Sequence, residues 1–102
     1  MKVTILGAGA WGTALAVQAA SRHVVCLWAR KSAHAQALQA TRRNEQYLPG
    51  VVLAPQISIV DELDAALAHA AAGLVIIATP MSGLRAMLAA VPDEARVLWL
   101  CK

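Results

Sequence analysis

The chain has 102 residues, 59% of them hydrophobic and 15% charged, with a formal net charge of +3. That length admits one small domain, and so apolar a composition excludes a disordered chain; it suits a sheet covered on both faces, or a piece parted from a second domain. Arg42-Arg43 is the one adjacent arginine pair and no basic run is interleaved with aromatics, so a nucleic-acid face is not expected and the positive charge is left for a phosphorylated small molecule or for solubility.

Phe is absent and Ala abundant, so the core must come from Val, Ile, Leu and small residues. Residues 2–6 form a β-branched run that predicts a first strand, and residues 11–21 carry the Ala/Leu pattern of a helix. Between them stand Gly7, Gly9 and Gly12 at G-x-G-x-x-G spacing. The uncharged stretch from Val3 to Ala20, with Ala14-Leu15-Ala16 inside it, also suits a secretory signal peptide. Three glycines, Trp11 and Gln18 in the apolar segment argue against that reading, and the same glycines interrupt a membrane span.

Val24–Trp28 is a continuous apolar run, the mark of a strand buried on both faces. Two strands joined by one helix make a βαβ unit, which is the context a phosphate-binding glycine loop requires. Ser32 is a candidate N-cap for a helix reaching Thr41, with Ala33, Ala37 and Leu38 expected on its inner face. The turn-rich segment Asn44–Gly50 reads either as a functional loop or as a connector ending in a Pro-Gly turn. Residues 56–60 suggest a short strand. Asp61 is placed to cap a helix from Glu62 to about Ala72, and Gly73 to end it. Leu74–Ala78 is a third buried strand. Thr79-Pro80-Met81-Ser82 breaks it before a helix over 83–90, Pro92-Asp93 turns the chain, and Arg96–Leu100 is the last strand.

The resulting β-α-β-α-β-α-β-α-β order predicts an α/β fold, a Rossmann-type doubly wound parallel sheet represented by its N-terminal portion. Ligands of such sheets bind beyond the carboxyl ends of the strands, here Gly7–Trp11, Ala29–Lys31, Thr79–Met81 and Cys101-Lys102. In the glycine loop, Gly7 would make the tight turn, Gly9 would let a pyrophosphate approach the backbone, and Gly12 would let helix and strand pack closely. The phosphates would face the positive end of the helix. At the second strand end, sites for NAD commonly carry an acidic residue for the ribose hydroxyls. This chain has Ala29-Arg30-Lys31 there, a guanidinium fork and a second cation suited to a 2′-phosphate. NADP(H) is therefore favoured, with NAD(H) not excluded.

Cys26 and Cys101 have no metal or redox spacing, and His23, His34 and His69 have no partners at ligand spacing. No metal is expected; buried, reduced thiols and a cytoplasmic setting are.

Four blocks carry a resemblance: Gly7-Ala8-Gly9-Ala10-Trp11-Gly12-Thr13-Ala14-Leu15-Ala16; Leu27-Trp28-Ala29-Arg30; Asn44-x-x-Tyr47-Leu48-Pro49-Gly50; and Ala78-Thr79-Pro80 followed by Leu84-Arg85. In this order and spacing they resemble the N-terminal cofactor-binding domain of bacterial NAD(P)-dependent glycerol-3-phosphate dehydrogenase. Ser21-Arg22-His23 departs from the family, which commonly has a glycine before the second strand. The resemblance implies reduction of dihydroxyacetone phosphate to sn-glycerol 3-phosphate with NAD(P)H, for phospholipid synthesis. It implies that Ala10 and Trp11 contact the cofactor, that Arg30 and Lys31 lie near its adenosine end, and that Pro80 borders the nicotinamide. Lys102 matches a lysine that touches both cofactor and substrate phosphate. The general acid/base lysine and most substrate contacts would come from a C-terminal helical domain, so residues 1–102 are expected to bind a nucleotide without turning over substrate. No membrane insertion is expected, and a homodimer of the whole enzyme stays open. Other two-domain reductases, of the ketopantoate reductase or 6-phosphogluconate dehydrogenase type, and a non-enzymatic NAD(P)H-sensing module are the alternative readings.

Overall fold

The computed structural model describes residues 2–70, 73–79, 89 and 96–99. Its elements are β1 (Lys2–Leu6), α1 (Ala10–Ala19), β2 (Val24–Trp28), α2 (Ser32–Thr41), β3 (Arg43–Asn44), β4 (Leu48–Val52), β5 (Ser58–Val60), α3 (Leu63–Ala70), β6 (Leu74–Ile77) and β7 (Arg96–Trp99). Five strands form one sheet in the order β5-β2-β1-β6-β7, and every pairing in it is parallel. The chain runs outward from β1 through β2 to β5, then returns to the other side of β1 for β6 and β7. This is the doubly wound Rossmann order, with its switch point between β1 and β6.

Alternation along the strands divides the core in two. Val3 and Ile5 of β1 join Val25 and Leu27 of β2 in one cluster with Ala16 of α1 and Ala35 and Leu38 of α2. Leu6, Cys26 and Trp28 join Ala66 of α3 in the other, with Val75 and Ile77 of β6. Helices on both faces explain why the strands read as unbroken apolar runs. Across α3, Thr4 Oγ1 lies 2.7 Å from His69 Nδ1, while Trp28 Nε1 donates to the Asp61 carbonyl at 3.2 Å.

Several boundaries differ from the sequence reading. Ser32 is the first residue of α2, whose N-cap is Lys31. The buried side of that helix is Ala35 and Leu38, whereas Ala33 and Ala37 are exposed. Alanines on every side of a helix give little periodic signal, so the phase expected from them was wrong. β5 starts at Ser58, two residues later than expected. The turn over Ser21–His23 needs no glycine: Arg22 and His23 both donate to the Ala19 carbonyl, and Arg42 is the one non-glycine residue with positive φ among those described. Of the expected helix over 83–90 only residue 89 is described, and the turn at Pro92-Asp93 lies outside the described residues.

Asn44–Gly50 is not a plain loop. Arg43 pairs with Val52 and Asn44 with Leu48 in a second, antiparallel two-stranded sheet. Pro49 and Gly50 sit inside its longer strand, residues that argue against a strand by composition but are accepted where one edge is free.

Candidate functional site

Three strand ends meet at the glycine loop. The Gly7 amide donates to the Trp28 carbonyl at 3.0 Å, and the Ala78 amide donates to the Leu6 carbonyl at 2.9 Å. Gly7 has a φ of +126°, and a Cβ there would stand 2.9 Å from the Ala78 carbonyl group. A side chain would therefore strain the backbone and strike the end of β6 as well. At Gly12 a Cβ would run into the Gly7 carbonyl oxygen, so the first turn of α1 can lie this close to the loop only with hydrogen at that position. Gly9 is different. It is the N-cap of α1, and nothing lies within 4 Å of where its Cβ would be.

These observations fit a pyrophosphate. The open side of Gly9 leaves room beside the backbone, and Thr13 donates to the Gly9 carbonyl at 3.0 Å as the first helical bond of α1. The amides of Ala10 and Gly12, in the first helical turn, have no acceptor among the described residues, as the geometry of a helix start requires. Thr79 Oγ1, just past β6, is buried without a hydrogen-bond partner among the described residues. Trp11 is 55% exposed at this helix start, so it is not core packing. Arg30 and Lys31 follow Ala29 at the end of β2, both exposed; the Lys31 carbonyl accepts the Ala35 amide at 3.0 Å, while neither side chain has an ion pair or hydrogen bond among the described residues. The Ala29 amide itself donates to the Val60 carbonyl at 2.9 Å. The fold thus brings Gly7, Gly9, Ala10, Trp11, Gly12, Arg30 and Lys31 to one end of the sheet. Pro80 and Lys102 lie outside the described residues.

Sequence reasoning missed two residues at this site. His34 Nε2 donates to the Ala8 carbonyl at 3.0 Å, and Asn44 Nδ2 donates to the same oxygen at 2.9 Å and to Thr13 Oγ1 at 2.7 Å. Tyr47 packs edge-on against the His34 ring, 5.5 Å between centroids. The Asn-x-x-Tyr block is therefore anchored on the glycine loop. Its turn-former composition was a signal; its destination was not. The other candidate groups serve the framework. Arg42 Nη2 donates to the carbonyls of Ala54 and Ile57 at 2.6 and 2.7 Å, and Arg43 faces Glu45 at 3.8 Å. Burial pushes the Cys26 thiol up to about 11, which keeps it protonated and inert. Burial, with Lys2 nearby, holds His69 below its ordinary value of 6.5. Among the described residues no group of three His, Cys, Asp or Glu residues could hold a metal ion, and no helix is long and apolar enough to cross a membrane.

A glycine-bearing turn at the switch point of a doubly wound parallel sheet, running into a helix N-terminus, defines a Rossmann-type dinucleotide-binding domain. The family model described as the N-terminus of NAD-dependent glycerol-3-phosphate dehydrogenase matches residues 2–102, and the chain belongs to that family. It is 55% identical, over its whole length, to 32% of the glycerol-3-phosphate dehydrogenase [NAD(P)+] of Methylibium petroleiphilum. It is 50% identical to 34% of the one from Leptothrix cholodnii. The crystal structure of glycerol-3-phosphate dehydrogenase from Coxiella burnetii superimposes with a TM-score of 0.85 at 30% identity, over 99% of this chain and 32% of that one. The glycerol-3-phosphate dehydrogenase of Saccharomyces cerevisiae shares the fold at 20% identity, with a TM-score of 0.83, over 100% of this chain and 33% of that one. The chain spans about a third of the length of the curated relatives it matches. By family and by fold it is a Rossmann-type N-terminal domain.

Proposed function

We propose that this chain is the cofactor-binding part of an enzyme that reduces dihydroxyacetone phosphate to sn-glycerol 3-phosphate with NAD(P)H, a step feeding phospholipid synthesis in the cytoplasm. The observation that carries the reading is the open backbone at Gly9, held at the switch point between β1 and β6 by the close approaches of Gly7 and Gly12. Family membership supports the reaction, and the relatives' names carry the same activity.

The residues divide the work by position. Gly9, Ala10 and Gly12 present backbone amides to the pyrophosphate at the positive end of α1. By resemblance, Ala10 and Trp11 contact the cofactor through this loop. Arg30 and Lys31 receive the adenosine end, and because no carboxylate stands there the 2′-phosphate of NADP(H) is preferred, with NAD(H) accepted more weakly. By resemblance, Pro80 borders the nicotinamide, and Lys102 touches both cofactor and substrate phosphate. The cofactor, when bound, supplies the hydride. Proton delivery and most substrate contacts belong to a helical domain of the kind the longer relatives have room for, so residues 1–102 alone bind nucleotide and do not turn over.

The test joins two assays. NADPH oxidation is followed with dihydroxyacetone phosphate for the longer enzyme carrying this domain, and nucleotide binding is measured for residues 1–102. Oxidation by the longer enzyme, with binding but no steady-state rate in the domain, is the expected result. Binding without oxidation in the longer enzyme would instead favour an NAD(P)H-sensing module. A steady-state rate from the domain alone would refute the division of labour.

A further inference from the structure

The Ala8 carbonyl is held by two side chains from outside the β1–α1 unit, His34 at 3.0 Å and Asn44 at 2.9 Å. Its oxygen can only accept, which fixes both partners: His34 carries its proton on Nε2, and Asn44 turns Nδ2, not Oδ1, toward it. Asn44 is 2% exposed, and its Oδ1 has no partner among the described residues. The second Nδ2 bond reaches Thr13 Oγ1 at 2.7 Å, and Thr13 in turn donates its amide to the Gly9 carbonyl at 3.0 Å. One carboxamide on β3 therefore ties the glycine turn to the first turn of α1.

The Ala8 carbonyl and the Gly9 N–H belong to a single peptide unit. That unit is trans, as are all those described, and because a trans peptide is close to planar its carbonyl and amide point in opposite directions. Fixing the oxygen on His34 and Asn44 turns the Gly9 N–H away from them. That amide has no acceptor among the described residues, and its residue faces the open space noted above. Two donors on the carbonyl also polarise the peptide and strengthen its N–H as a donor.

We propose that Asn44 and His34 are positioning residues that aim and polarise the Gly9 amide at the cofactor pyrophosphate, making the β3–β4 hairpin part of the phosphate site. This rests on the dinucleotide-binding reading. Their effect should follow the pyrophosphate and spare the rest of the nucleotide.

The experiment measures the dissociation constants of NADPH and of adenosine 2′-monophosphate, which lacks the pyrophosphate, for wild type, Asn44→Ala, His34→Ala and His34→Gln. Asn44→Ala should weaken NADPH by about tenfold and leave adenosine 2′-monophosphate within twofold. His34→Ala should do the same to a smaller extent, and His34→Gln, whose amide can again donate to Ala8, should recover most of the loss. Equal weakening of both nucleotides, or no weakening of NADPH, overturns the proposal. So does a His34→Gln variant no better than His34→Ala. If Asn44→Ala fails to fold, the His34 pair decides the matter by itself. Wild-type protein that binds neither nucleotide would refute the dinucleotide reading and this proposal together; wild type that binds both, with insensitive variants, refutes this proposal alone.

Discussion

Two pairs of adjacent cations, twelve positions apart, meet different fates in this fold. Arg42 and Arg43 are the one adjacent arginine pair in the sequence. The guanidinium of Arg42 binds the carbonyls of Ala54 and Ile57, and its left-handed backbone, φ 55°, ends α2 and turns the chain into the hairpin. Arg43 faces Glu45 on the surface. Arg30 and Lys31 lie exposed at the carboxyl end of β2, beside the glycine loop, their side chains without a partner among the described residues. The first pair closes off a helix end and a connection, the second is left for solvent or a ligand. Charge in a sequence becomes binding capacity only where the fold leaves the donors unspent.

That contrast can be broken in order of expected effect. Arg42→Gly keeps the left-handed backbone and deletes the two guanidinium bonds. It should cost about 2 kcal/mol of stability in urea unfolding while the ratio of NADPH to NADH affinity stays unchanged; a shifted ratio would mean that Arg42 is not merely structural. Arg30→Asp should do the reverse. Its melting temperature should stay near that of wild type, and its NADPH affinity should fall on the order of thirtyfold, with NADH much less affected. Equal loss of both nucleotides would dismiss the 2′-phosphate role.

His69 adds a third kind of basic residue, one the fold prefers uncharged. Its value is lowered by burial and by Lys2, so just below 6.5 the unfolded chain binds a proton that the folded chain resists. Stability contributed by neutral His69 is then present at neutral pH and lost as pH falls through that window. Thermal melts between pH 7.5 and 5.5 should show this slope, and His69→Gln should flatten it; an unchanged slope would assign the effect elsewhere. Smallest of all, Arg43→Ala should change stability by under about 0.5 kcal/mol, because an exposed ion pair of 3.8 Å contributes little.

Much of the candidate site was legible because it is local. A strand, three spaced glycines and a helix lie within residues 2–19, and the close approach that makes Gly12 necessary is to Gly7, five positions earlier. Arg30 and Lys31 could be placed because β2 ends where its apolar run ends. The bracing residues could not be found this way. His34 lies 26 positions from Ala8 and Asn44 lies 36, and neither has a charge pattern or a ligand spacing that announces its partner. The hairpin escaped for a related reason, since Leu48–Val52 contains both Pro49 and Gly50 and becomes a strand only through its pairing with Arg43 and Asn44.

By itself the sequence determined the alternation of strands and helices, the burial of the sheet on both faces and the position of the glycine loop, because hydrophobic period and glycine spacing act between near neighbours. Only the tertiary structure decided which cations are spent on carbonyls, which face of α2 is buried, and that Asn44 and His34 hold the Ala8 peptide. Those outcomes depend on donors and acceptors that meet across tens of residues. Side-chain hydrogen bonds of that reach leave no periodic trace in the chain that makes them.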